Sequence, residues 1–319
     1  MTAENASPLA VPAPQGGNGG GNPGSPGIVA AWLLATRPRT LAAGLVPVAV
    51  GTALARPLFD PLRLLACLAG ALLIQIGCNF ANDAFDALKG ADTPDRVGPR
   101  RAVAAGLISA RAMLIGTAIV LAVAFAIGCW LATIAGWGIF ALGIVSLACA
   151  VLYTGGPAPL AYLGLGDLFV FLFFGLFAVL GSAWVQRAGH DPQLATADWL
   201  VAAAVGLQAT AIIAVNNLRD IETDTRANKR TLAVRLGDRA TRVYYLCLHL
   251  GATGLLAGAA LITGKPWHWL PVAAACLGGL ALARAVAKTR GAALNKMLAK
   301  TAALELLTGL CLVAAYCLG

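Results

Sequence analysis

Apolar runs of about 20 to 25 residues recur from Ala30 to the C-terminal end of the chain, separated by short polar connections. A run of that length crosses the roughly 30 Å hydrocarbon core of a bilayer as an α-helix, the open-ended element that satisfies its own backbone polar groups. The spacing predicts nine helices, near 30–55, 62–88, 110–133, 137–154, 166–186, 198–218, 241–262, 269–289 and 297–317. Of the 319 residues 59% are hydrophobic and only 12% charged, about half the charge of an ordinary soluble domain. A water-soluble globular protein is thereby excluded. The fold class is all-α: a polytopic membrane protein of nine transmembrane helices in one bundle, covering residues 28–319.

Residues 1–27 are mostly Gly, Pro, Ala, Asn and Ser, a composition that cannot bury enough surface to offset the entropy of ordering, so a disordered tail is expected there. This segment has neither the charged start nor the continuous apolar core of a signal peptide, and the first long apolar run is expected to stay in the mature protein. Eight cysteines lie inside apolar runs with no CxxC pair among them, which reads as small buried hydrophobes rather than a disulfide framework.

Nine spans divide the connections between two sides. One side, with the N-terminus, collects 19 of the 23 Lys and Arg residues, leaving only Arg56, Arg63, Arg187 and Lys265 for the other. Positive charge accumulates on the cytoplasmic side, so the N-terminus and the basic loops face the cytoplasm and the chain is integral to the cytoplasmic (inner) membrane. The net charge of +9 needs no nucleic-acid partner.

Carboxylates at such helix ends carry the functional argument, because acids in hydrocarbon by default face the bundle interior or a water-filled cavity. Helical steps of three and four place Asn79, Asn82, Asp83 and Asp86 on one stripe at the end of the second span. At the end of the sixth span Asn216, Asp220 and Asp224 form another. Asn82 to Asp86 and Asn216 to Asp220 are matching four-residue steps, 134 positions apart, which suggests two related halves. A single helix-end carboxylate is usually just solvated; two matched stripes, each followed by a basic loop, are not so easily dismissed. Asp and Asn oxygens suit Mg²⁺, which is usually shared between one or two carboxylates, water and substrate phosphates. Lys89, Arg96, Arg100 and Arg101 follow the first stripe, and Arg226, Lys229, Arg230 and Arg235 the second. Acid plus base around a membrane cavity reads as a metal–diphosphate clamp, in which metal neutralises charge on a leaving group. A divalent-cation transporter also needs intramembrane acids but has no use for the basic loops. Phosphotransferases acting on CDP-alcohols place their aspartates in one compact stretch, unlike the two distant clusters here.

Three segments, NDAFDALKGADTPDRVGPRRAVAAG (Asn82 to Gly106), YTGGPAPLAYLGLGD (Tyr153 to Asp167) and NNLRDIETDTRANKRTLAVRLG (Asn216 to Gly237), resemble the UbiA superfamily of intramembrane prenyltransferases, and within it the branch acting on 1,4-dihydroxy-2-naphthoate. The superfamily's first motif is often NxxxDxxxD; Gly90 stands at its last position here, and the longer NxxxDxxxxxD form of the naphthoate branch passes that role to Asp92. The resemblance implies two Mg²⁺ ions held by Asn82, Asp86, Asp92, Asp220 and Asp224, with Asp83 a weaker candidate. It implies a polyprenyl diphosphate donor paired by Lys89, Arg96, Arg101, Lys229 and Arg230, and catalysis centred on Asp86, Asp220, Asp224 and Lys229. Ionisation would give an allylic cation that an electron-rich ring attacks; in this branch 1,4-dihydroxy-2-naphthoate loses CO₂ as the prenyl chain joins, giving demethylmenaquinone on the route to menaquinone. Transfer to 4-hydroxybenzoate or another aromatic acceptor is the alternative within the superfamily.

The acceptor candidates are Arg39, Asn79, Tyr153, Tyr162 and Asp167. Asp167 reads equally as a cap of the fifth span, and Arg39 as an interfacial anchor. Glu305, about two turns into the last span, lies in none of these motifs and is expected to make an interhelical hydrogen bond. His190, His249 and His268 share no spacing, so a histidine metal site is not expected.

Overall fold

The computed structural model describes residues 27–90, 101–157, 159–190 and 193–319, without the side chains of residues 39, 40 and 42. The tail, Asp92, Arg96 and Arg100 lie outside the described residues, and of Arg39 only the backbone lies within them. Among the described residues there are helices and no strands.

The first expected span is broken into α1 (Ile28–Thr36) and α2 (Pro38–Leu54). Pro38 disfavours the α region for the residue before it, and Arg37 adopts a left-handed conformation at φ 55°. α3 (Pro61–Leu88) starts at Asp60, whose carboxylate accepts the backbone N–H of Leu62 and Arg63 at 2.8 and 3.1 Å, with Pro61 at the first helical position where no N–H is needed. α4 (Ala110–Ala135) is capped by the Ser109 hydroxyl, and α5 (Trp137–Leu152) follows after Gly136. α6 (Gly166–Arg187) winds as a π-helix between Phe171 and Phe177. α7 (Thr196–Arg219), the short α8 (Ile221–Arg226), α9 (Leu232–Thr263), α10 (Trp269–Lys288) and α11 (Leu294–Leu318) complete the chain. α9 begins earlier than expected and bends at Gly237, whose φ of 77° only glycine adopts readily.

By length and composition seven helices are able to cross a membrane: α3, α4, α6, α7, α9, α11 and the segment Pro266–Lys288 that contains α10. The expected first and fourth spans correspond to shorter apolar helices, Ala43–Leu54 and Trp137–Leu152. The chain is therefore an integral membrane protein, and the bundle closes on itself. α11 packs on α2 and α7, α2 on α6, and α7 on α9. Val50, Val179, Val201, Ala252 and Leu312 bring five helices together in one apolar cluster. α6 and α7 touch where Gly175 meets Gly206: a Cβ on Gly175 would stand 2.5 Å from the Gly206 Cα. Outward-facing Leu, Ile and Trp side chains such as Trp137, Leu261 and Leu277 are largely exposed, as a lipid-facing surface requires.

Two expectations about buried groups are corrected. None of the eight cysteines is bridged, but none is fully buried either: six are half-buried, and Cys247 and Cys317 are exposed. Glu305 is 1% exposed, yet among the described residues neither carboxylate oxygen has a hydrogen-bond partner. Its helical neighbours are engaged elsewhere, Thr301 with Tyr245 across the bundle at 2.7 Å and Thr308 with Gln208 at 3.2 Å.

Candidate active site

One cavity of about 490 Å³ receives both acidic motifs: Asn82, Asp86, Asn216, Asp220, Asp224 and Lys229 line its polar end. Away from that end the walls are apolar. Along α3 the lining runs back from Asp86 to Cys67, roughly 28 Å of axis at 1.5 Å per residue. The opposite wall carries Phe169, Phe173 and Phe177 of α6, stacked and edge-to-face at centroid distances of 5.9 and 5.2 Å. The π-helical turns lie within this aromatic row, a placement such turns often have at functional sites.

The stripe on α3 is buried as expected, but its four members separate into distinct tasks. Asn79 donates its amide to the Thr36 carbonyl at 3.0 Å and holds the α1–α2 break. Asn82 accepts the Thr154 hydroxyl at 2.7 Å. Asp83 turns away from the cavity and accepts the backbone N–H groups of Ala102 and Val103 at 2.9 and 3.0 Å, pinning the returning loop. Asp86, 2% exposed, pairs with Arg101 at 2.8 Å and accepts the Tyr162 hydroxyl at 3.0 Å. Tyr162 in turn stands under two cations, with Lys89 Nζ 5.1 Å and Lys229 Nζ 5.6 Å from its ring centroid.

The second stripe runs across a helix junction rather than along one helix. α7 ends at Arg219, Asp220 occupies the joint with φ −97° and ψ 8°, and α8 carries Asp224. The joint folds the Asp220 carboxylate onto its neighbour: Arg219 donates to it through Nε at 2.7 Å and Nη2 at 2.5 Å, and also to Asn216 at 2.9 Å and Asn295 at 2.6 Å. Arg219 was not singled out from the sequence, although its i+3 spacing from Asn216 places it on the same face. Thr154, which lies within the Tyr153 to Asp167 segment, and Arg37 also line the cavity; neither was singled out from the sequence.

Other expected residues fall beside the cavity. Lys89 is exposed and donates to the Thr154 carbonyl at 2.6 Å. The Arg230 side chain is exposed, while its backbone N–H donates to the Tyr162 carbonyl at 3.2 Å. Asp167 is buried in the first turn of α6 without capping it, so the capping reading is corrected: the N-cap position is Leu165. With Tyr153 and Lys229, Asp167 lines a small recess adjoining the main cavity.

The donor set is hard oxygen from Asn and Asp, which fits Mg²⁺. Among the described residues no three His, Cys, Asp or Glu side chains approach closely enough to hold an ion alone. A metal here needs ligands from water and substrate, which is the usual condition of Mg²⁺ at phosphate sites.

Residues 44–307 match the model of the UbiA prenyltransferase family. The chain belongs to that family. Among its relatives, the 1,4-dihydroxy-2-naphthoate octaprenyltransferase of Escherichia coli K12 is 40% identical over 294 residues, covering 89% of this chain and 94% of the relative. The protein of the same name from Mycobacterium tuberculosis H37Rv is 40% identical over 258 residues, covering 78% and 83%. The UbiA fold extends to more distant solved structures: a UbiA homolog from Archaeoglobus fulgidus bound to DMAPP and Mg²⁺ has a TM-score of 0.65 at 15% identity, covering 89% of this chain and 99% of its own. A UbiA homolog from Aeropyrum pernix, in its apo form, has a TM-score of 0.65 at 20% identity, covering 87% and 97%.

Proposed function

We propose that this UbiA-family chain transfers a polyprenyl group from polyprenyl diphosphate to 1,4-dihydroxy-2-naphthoate in menaquinone biosynthesis. The observation that carries the reading is the meeting of both Asn/Asp motifs with Arg101 and Lys229 at the mouth of a long apolar cavity. A charged head and an isoprenoid tail are the two ends such a cavity accommodates. The naphthoate acceptor is supported by relatives that carry that activity in their names at 40% identity.

In this reading Asn82 and Asp86 would hold one Mg²⁺ and Asp220 and Asp224 a second, with Asp92 a further ligand. The ions, when bound, neutralise charge on the departing diphosphate. Arg101 and Lys229 would pair its oxygens, with Lys89, Arg96 and Arg230 as further candidates. Tyr162 positions Lys229 against Asp86, and the apolar walls keep water from the allylic cation. The C–O bond to diphosphate breaks, the prenyl carbon bonds to the carboxylate-bearing ring carbon, and the C–CO₂ bond breaks to return its electrons to the ring. The product leaves as the quinol of demethylmenaquinone, with no strong base needed at that carbon.

All nine apolar helices cross the membrane in this proposal, with the N-terminus and the cavity mouth cytoplasmic, supported by the partition of Lys and Arg. Purified protein with Mg²⁺ and a polyprenyl diphosphate should convert 1,4-dihydroxy-2-naphthoate with release of CO₂ and largely ignore 4-hydroxybenzoate. Mass spectrometry decides it: a product that keeps the carboxylate, or efficient conversion of 4-hydroxybenzoate, overturns the acceptor assignment.

A further inference from the structure

Attack at a carboxylate-bearing carbon requires the acceptor's carboxylate to be held in register with the prenyl cation. Among the described residues three cations line the cavity: Arg37, Arg101 and Lys229. Arg101 is bound to Asp86, and Lys229 stands over Tyr162, itself hydrogen-bonded to Asp86. Both belong to the metal–diphosphate end. Arg37 stands apart from them, at the break between α1 and α2.

Its backbone is the unusual feature. Among the described residues only Arg37 and Asn228 combine a side chain with positive φ, and asparagine tolerates that region where arginine does not. Pro38 and two contacts hold Arg37 there: its N–H donates to the Leu34 carbonyl at 3.1 Å, and the buried Asn79 amide donates to the Thr36 carbonyl at 3.0 Å. Glycine would occupy this conformation without strain, so the arginine is retained against a local cost, a pattern that marks functional positions. One of its guanidinium nitrogens is buried. Cys78 and Tyr153 line the same cavity as Arg37, Asn82 and Asp86. Asn79, which holds the break, is about 10 Å along α3 from Asp86 by helical rise.

We propose that Arg37 is the carboxylate anchor of the aromatic acceptor, with the ring lying between its guanidinium and the Asn82–Asp86 motif, against Tyr153. The separation lets different cations bind the two anionic substrates, so the acceptor carboxylate does not compete with diphosphate. Guanidinium matches a carboxylate in two parallel hydrogen bonds, a geometry lysine does not reproduce. The anchor so proposed lies two positions before Arg39, the acceptor candidate named on sequence grounds, whose side chain lies outside the described residues.

The proposal rests on the prenyltransferase reading above, and the test separates the two. Arg37→Gly, Arg37→Lys and wild-type protein are purified and their KM values measured for each substrate, beside thermal stability. Arg37→Gly should melt at or above the wild-type temperature, because glycine suits the left-handed backbone. Its KM for 1,4-dihydroxy-2-naphthoate should rise tenfold or more, while KM for the prenyl diphosphate stays within twofold. Inhibition by 1,4-dihydroxynaphthalene, which lacks the carboxylate, should be unaffected, and Arg37→Lys should recover part of the loss. An unchanged acceptor KM in Arg37→Gly overturns the proposal, as does a parallel rise in both KM values with a fall in melting temperature. If wild-type protein turns out to use a monocyclic aromatic acid, the naphthoate reading falls, and the same KM split measured with that acid still decides the role of Arg37.

Discussion

Replacing Asp83 by alanine separates the one stripe carboxylate that faces away from the cavity from those that face it. Asp83 is 2% exposed, and its carboxylate accepts two backbone N–H groups at 2.9 and 3.0 Å. Hydrogen bonds to a charged acceptor contribute about 1.5–3 kcal/mol each, and a buried donor left without a partner costs a similar amount. Two such bonds therefore amount to a loss of about 3–6 kcal/mol if the loop stays in place. At roughly 2 °C per kcal/mol for a chain of this size, the melting temperature in detergent should fall by about 6–12 °C. The effect on turnover is indirect: the N–H donors belong to Ala102 and Val103, directly after Arg101, so a released loop misplaces the guanidinium that meets Asp86. KM for the prenyl diphosphate should rise while KM for the acceptor changes little. Asp83→Asn, which keeps one acceptor oxygen, should fall between. An Asp83→Ala protein that melts within about 1 °C of wild type, or that loses turnover with both KM values unchanged, refutes the assignment of Asp83 to the loop.

Asp86→Asn and Asp220→Asn should each lower kcat at least a hundredfold, measured by prenyl transfer, and each should lower the melting temperature, because the buried Arg101 or Arg219 loses its counter-ion. Asp86→Ala should destabilise by about 3–5 kcal/mol, because it strands the buried Arg101 without its counter-ion; a melting temperature unchanged from wild type would contradict the ion pair at 2.8 Å. Mg²⁺ with pyrophosphate should raise the melting temperature well beyond either alone, with about 2.7 kcal/mol of stabilisation at a hundredfold excess over Kd; equal shifts from Mg²⁺ alone would show a site complete without phosphate. Deleting residues 2–27 should leave insertion, melting and kcat unchanged, checked on the truncated protein in membranes.

Helix positions were legible because hydropathy and charge act on whole 20-residue runs, which single residues hardly disturb. Local breaks were legible only in part. Pro38 signals an interruption, but nothing in the amino acids around it says that Arg37 takes the left-handed region rather than another non-helical one. The π turns of Phe171–Phe177 leave no trace, since FLFFGLF is apolar at every position except its glycine and has no face whose period could change. At the site, helical spacing correctly grouped Asn82, Asp83 and Asp86, but a period of 3.6 does not distinguish the side facing the cavity from the side facing a returning loop. That difference depends on Ala102 and Val103, nearly twenty residues away. Asp220 and Asp224 shared a stripe on an ideal helix; the joint at Asp220 joins them through a turn instead, and both still reach the cavity.

The two motifs solve one electrostatic problem by different routes. A carboxylate that is to stay charged out of water needs a partner of opposite charge; without one it takes up a proton. In the first half the partner comes from the loop, fifteen positions after Asp86, and depends on Asp83 to hold it. In the second half it is the adjacent residue, and the end of α7 at Arg219 supplies the turn that lets the two side chains meet. Asp86 and Asp220 are thus each neutralised within the chain. A bare Mg²⁺ would have to displace an arginine from its carboxylate, leaving a cation buried beside a cation. A Mg²⁺–diphosphate complex brings the anion to which that arginine can turn, so metal and donor are held best together.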